Sequence, residues 1–96
     1  MVARMNAKEL EKIVRDGLNA RYVEVLDDSG LHAGHEGAAG GAHFRLVAVS
    51  DDFEGLGTLE RHRKLNALVR DKFGSGLHAL SAQLMTVAES EAASRR

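Results

Sequence analysis

Between two runs of β-forming residues, Arg21–Asp27 and Phe44–Ser50, lie five of the chain's ten glycines: Gly30, Gly34, Gly37, Gly40 and Gly41. Hydrophobic periodicity stops at residue 28 and resumes only after residue 42, so neither a helix nor a strand is expected there. Two strands joined without a helical crossover pair most simply as antiparallel neighbours. A structureless connection of this length is uncommon in a compact domain and is often functional.

The rest of the chain fits around that pair. Asn6 and Glu9 have the spacing of a capping box, and Leu10, Ile13, Val14 and Leu18 follow at helical intervals, with Gly17 and Asn19 marking the exit. After a turn at Asp51–Gly57, Thr58 is placed to cap a helix running to about Phe73. Leu59, Leu65, Leu68, Val69 and Phe73 fall on one side of it. Gly74-Ser75-Gly76 ends that helix, Leu77 to about Met85 reads as a third strand, and Thr86-Val87-Ala88-Glu89 has the T-x-x-E form that opens a terminal helix. The expected class is α+β in the order α-β-β-α-β-α. A strand–helix–strand crossover makes strands 2 and 3 parallel, giving a three-stranded mixed sheet with helices packed on one face. A single domain over 1–96 is expected, ordered from about 6 to 86.

Composition narrows the chemistry. The chain has no cysteine, which removes disulfides, thiolate metal sites and cysteine nucleophiles; any thiolate ligand must come from another molecule. A formal charge of −1 supplies no field for nucleic acid or an acidic membrane. No apolar run approaches a membrane span, and the first five residues lack the apolar core of a signal peptide, so a cytoplasmic protein, monomeric when free, is expected.

Of the five histidines, His78 opens the third strand beside a glycine turn, where it can stand at the rim of the sheet. His32 and His35, three residues apart in the glycine-rich segment, could reach that rim or clip a metal unaided. The plainer alternatives are a surface histidine and a solvated loop. His43 heads the second strand and could line the same rim, orienting a ligand. His62 falls within the apolar arc of its helix and reads as a neutral core histidine with a hydrogen-bond partner. Imidazole binds a metal only when neutral, so any such site should loosen below about pH 6.5.

Four blocks in order, His43-Phe44-Arg45-Leu46-Val47-Ala48-Val49-Ser50, Phe53-Glu54-Gly55, Arg61-His62-Arg63-Lys64-Leu65-Asn66 and His78-Ala79-Leu80-Ser81, resemble the BolA family pattern. The likeness runs from about Leu10 to Thr86. It implies a fold close to the type II KH domain, and a partnership with a monothiol glutaredoxin in which a [2Fe–2S] cluster is shared between the glutaredoxin cysteine, glutathione and BolA ligands. Carried onto this chain, the implied ligands are His78 and a histidine of the variable loop, with His32 the best positional match and His35 the second candidate. Imidazole in place of thiolate raises the potential of such a cluster. The chain departs from the family's Thr-Pro-x-Glu-Trp pattern at Thr86-Val87-Ala88-Glu89-Ser90, keeping the capping residues and losing the Pro and Trp.

The family has also been regarded as DNA-binding regulators, and Arg61, Arg63 and Lys64 are the residues such a role would use. Their helix alternates these cations with Glu60 and Asp71, a mixed surface and not a basic stripe. The clamp of a KH domain, a GXXG loop, is replaced by Gly55-Leu56-Gly57-Thr58. No paired carboxylates, Ser–His–Asp pattern or phosphate loop is recognisable, so an enzyme is not expected.

Overall fold

The computed structural model describes residues 5–27, 42–73 and 76–94. Helix α1, Ala7–Gly17, begins at the expected capping box: the Asn6 side chain accepts the Glu9 amide at 2.9 Å, and the Glu9 carboxylate accepts the Asn6 amide at 3.3 Å. Such a reciprocal cap is worth about 1 kcal/mol. Leu10 and Val14 are buried, as is Leu18 just past the helix. Asn19 then turns the chain with φ 52°, in the left-handed region that Asn tolerates better than most residues. Gly17 is where α1 meets the second long helix, since a Cβ there would lie 2.5 Å from Leu68 Cδ2.

Strands β1 (Tyr22–Asp27), β2 (Ala42–Val49) and β3 (Leu77–Met85) form a sheet in the order β1-β2-β3. β1 and β2 are antiparallel, with Tyr22 opposite Val49 and Asp27 opposite Phe44; β2 and β3 are parallel. Both orientations are the expected ones. β2 starts two residues earlier than its apolar run suggests, and Ser50 lies outside it. Ser50 instead caps a 3-10 turn at Asp51–Phe53, and its buried hydroxyl donates to the Leu18 carbonyl at 2.6 Å while accepting the Asp52 amide. One hydroxyl thus ties the end of α1 to the turn that leaves the central strand.

Helix α2, Thr58–Val69, is shorter than its periodicity implies, continuing as a 3-10 turn at Arg70–Lys72. Two expectations fail here. Gly57, not Thr58, is the N-cap, and no side chain caps this end. Leu59 and Phe73 are 63% and 41% exposed: Leu59 sits in the first turn, and Phe73 lies beyond the helix in a bridge to Leu77. The buried face is carried by Leu65 and Val69, with Leu68 partly covered. They meet Leu10 and Val14 of α1, Phe44, Leu46 and Ala48 of β2, Leu84 of β3, and Phe53 from the turn. Each fully buried Leu or Phe contributes about 1.5–3 kcal/mol.

Helix α3, Val87–Ser94, forms although the Pro and Trp of the family pattern are missing. The Thr86 capping box closes as expected: Glu89 accepts the Thr86 amide at 2.8 Å and Thr86 Oγ1 accepts the Glu89 amide at 3.2 Å. Among the described residues no helix is long and apolar enough to cross a membrane.

Candidate functional site

Phe44, Leu46 and Ala48 are buried in the core, so the alternating residues His43, Arg45 and Val47 lie on the opposite face of the sheet. His78 joins His43 there because of a register shift. Ala42 pairs with Leu77 and His43 with Ala79, which leaves His78 as an extra residue on β3. In an unbroken register His78 would share the parity of Leu80, Ala82 and Leu84, whose partners on β2 are the core residues Phe44, Leu46 and Ala48. The bulge lets Leu77 enter the core at 1% exposure and releases His78 to solvent. Gly76, with φ 119°, makes the approach to it in a conformation that suits glycine.

The two imidazole rings stack, 4.8 Å between centroids and 29° between planes. His43 is half-buried with its Nε2 shielded from solvent, whereas His78 is exposed. His43 is therefore the fixed member and His78 the accessible one. The connection between β1 and β2 springs from this same end of the sheet, with Asp27 opposite Phe44. His32 and His35 belong to that connection and lie outside the described residues.

Among the described residues no group of three or more His, Cys, Asp or Glu could hold a metal. The donor set at this rim is two imidazoles, one of them partly withdrawn. Those two imidazoles could supply part of a metal's ligand set and do not by themselves complete one.

His62 is half-buried between two carbonyls, with Nδ1 2.9 Å from Thr58 O and Nε2 3.3 Å from Ala82 O. It joins α2 to β3, as its place in the apolar arc suggested, and takes no part in the rim.

Arg61 is not the solvated cation that the helical wheel implied. Its side chain is 14% exposed. Nε donates to Leu56 O at 2.8 Å, Nη1 to Leu84 O at 3.1 Å, and Nη1 and Nη2 to the Glu89 carboxylate at 2.6 and 3.2 Å. The guanidinium also stands 5.8 Å over the Phe53 ring. The hydrogen bond that Arg61 donates to Glu89 is the main reason its pKa is raised; conversely that bond, aided by the Thr86 amide, pulls Glu89 down to about 2. Arg61 thus clamps the Phe53 turn, the end of β3 and the cap of α3. Arg63 and Lys64 remain exposed on α2. The only sequence sign of the clamp was the capping glutamate itself, 28 residues away.

A small mixed sheet backed by helices, with a histidine pair at its rim, defines an α+β domain. The BolA-like protein family matches residues 14–89. SufE-like protein 1 of Arabidopsis thaliana, named as chloroplastic/mitochondrial, is 42% identical over 82% of this chain and 23% of its own length. The DNA-binding transcriptional regulator BolA of Vibrio cholerae is 30% identical over 83% of this chain and 74% of its own. A solved bol-like protein from Babesia bovis superposes with a TM-score of 0.78 at 30% identity, covering 95% of both chains. The chain belongs to the BolA family. It spans about half the length of several other curated BolA-like relatives. No enzymatic family is indicated.

Proposed function

We propose that this protein is a non-enzymatic adaptor that pairs with a monothiol glutaredoxin and contributes histidine ligands to a shared [2Fe–2S] cluster, serving iron homeostasis or cluster trafficking. The observation that carries the reading is the His43–His78 stack at the root of the 28–41 connection, in a chain without cysteine. His78 offers an accessible imidazole, His43 holds its ring in place, and His32 or His35 supplies the second ligand. A bound cluster would supply electron transfer or transferable iron and sulfide. The role of this chain is to present neutral imidazoles and to set their direction. The reading places the chain in a reducing compartment such as the cytoplasm, where a partner's thiol and glutathione stay reduced.

The test is to mix the protein with a monothiol glutaredoxin, glutathione, iron and sulfide. A heterodimer is expected whose visible spectrum differs from that of the glutaredoxin homodimer. His78→Ala should erase that difference, as should the double change of His32 and His35 to Ala. A spectrum indifferent to both changes rules out ligation.

The name of the Vibrio relative supports a second reading, a DNA-binding regulator acting through the Arg61–Lys64 region. With Arg61 engaged internally, Arg63 and Lys64 are the cations left to meet phosphate. Binding that persists near physiological salt and falls on removing those two would favour this reading.

A further inference from the structure

The two edges of the sheet differ in how they are protected. Met85 O accepts the Ser50 amide on the β2 side, so by the two-residue strand period the Ala82 and Leu84 carbonyls turn outward. His62 and Arg61 cover those two carbonyls from α2. At the start of β3, Phe73 bridges to Leu77. The outer edge of β3 is thus covered at Ala82 and Leu84 and bridged at Leu77.

β1 forms the other edge. Among the described residues, the backbone of Tyr22–Leu26 makes no hydrogen bond beyond its ladder with β2. Among the described residues, the protection of this exposed strand is charge alone, at Glu24 and Asp27. β1 contains no lysine and no proline, and its register with β2 runs unbroken over six residues, about 20 Å. Tyr22 and Leu26, 50% and 48% exposed, flank exposed Glu24 on the face away from α1 and α2.

Charge selects the occupant. β1 carries Glu24 and Asp27 and no cation, and neighbouring Arg21 is held by Asp51 at 2.7 Å. A second copy paired antiparallel about Glu24 would set Glu24 against Glu24, which is unfavourable. We propose that the outer edge of β1 accepts an extended segment of a partner protein, with Lys or Arg alternating with apolar residues, as a fourth strand of the sheet. The segment gains main-chain hydrogen bonds along β1, sets its cation against Glu24 and packs apolar side chains beside Tyr22 and Leu26. The proposal uses none of the histidines and so can be tested apart from the histidine site.

The experiment titrates the 15N-labelled full chain with a synthetic peptide of alternating valine and lysine, and with an isomer of the same composition in blocks. Saturable amide shifts confined to residues 21–27 are expected for the alternating peptide. Glu24→Lys, an exposed change that leaves the core intact, should weaken that binding about two- to fivefold. The same variant should strengthen binding of a valine–glutamate peptide to a similar extent. The proposal is overturned by a flat titration at millimolar peptide, by shifts centred on residues 77–85, or by affinity unchanged in Glu24→Lys. A dimer forming through β1 without peptide, seen by sedimentation, also overturns it, because a second copy would then be the occupant.

Discussion

Arg61 grips both carboxylate oxygens of Glu89, at 2.6 and 3.2 Å, and so joins the second turn of α2 to the first turn of α3. None of α3's own residues is fully buried, so this contact and the capping box are its main polar ties to the end of β3. The pair therefore helps to hold the eight residues of α3, Val87–Ser94, against the end of the sheet.

This makes α3 acid-sensitive. The folded Glu89 carboxyl sits at about 2 against an ordinary 4.5. Its contribution is therefore complete above about pH 4.5 and is lost as the pH falls from there toward 2. Wild type should resist urea better than Glu89→Gln at pH 6, with the gap closing steadily between pH 4.5 and 2. Amide exchange across Val87–Ser94 should accelerate over the same interval. A gap that is constant down to pH 2 would mean that the carboxylate is not what holds the helix.

Arg61→Ala should cost about 2 kcal/mol, because it leaves the Leu84 and Leu56 carbonyls without their donor and removes the partner of Glu89. For a domain of this size that corresponds to a fall in Tm of about 10 °C. Arg61→Lys should recover only part of the loss, since an ammonium cannot reproduce the planar fork that serves three acceptors. Thermal unfolding followed by circular dichroism gives the comparison. If DNA binding is assayed in these variants, loss of affinity must be read beside loss of fold.

Ser50→Ala is expected to destabilise by about 1–3 kcal/mol, since it strips the 3-10 turn of its cap and leaves the Leu18 carbonyl buried without its hydroxyl donor. Urea titration against wild type measures it. A change below about 0.5 kcal/mol would show that the turn closes without this hydroxyl, within the range of an ordinary surface substitution.

Periodicity was enough to read the element order, the antiparallel and parallel pairings, and both capping boxes, because each depends on residues close in sequence. It misjudged α2 because a wheel treats every turn of a helix alike. Leu59 lies in the opening turn and Phe73 beyond the last, and neither is covered. Arg61 was misread for a related reason. A wheel scores arginine as surface, but this one is drawn inward by acceptors at Leu56, Leu84 and Glu89 that only the folded chain brings together. His78 was correctly set at the rim of its strand, yet nothing local revealed the bulge. Register is a property of two strands, and the parity of β3 by itself would have pointed His78 at the core. The BolA likeness supplied the ligand assignments, which spacing alone left open.

The stack of His43 on His78 separates two roles for His43 that a single deletion would confuse. If His43 acts by holding the His78 ring, an aromatic ring without nitrogen should serve nearly as well. His43→Ala should then weaken cluster retention in the glutaredoxin complex by about two- to tenfold, the equivalent of a lost aromatic contact of about 0.5–1.5 kcal/mol. His43→Phe should restore most of it and leave the visible spectrum unchanged. If His43 is instead a ligand, Phe and Ala will be equally poor and both will change the spectrum as His78→Ala does. The shielding of His43 Nε2 favours the first outcome. Retention is read from the decay of the visible bands on challenge with a chelator, with circular dichroism of each variant confirming that the sheet is intact.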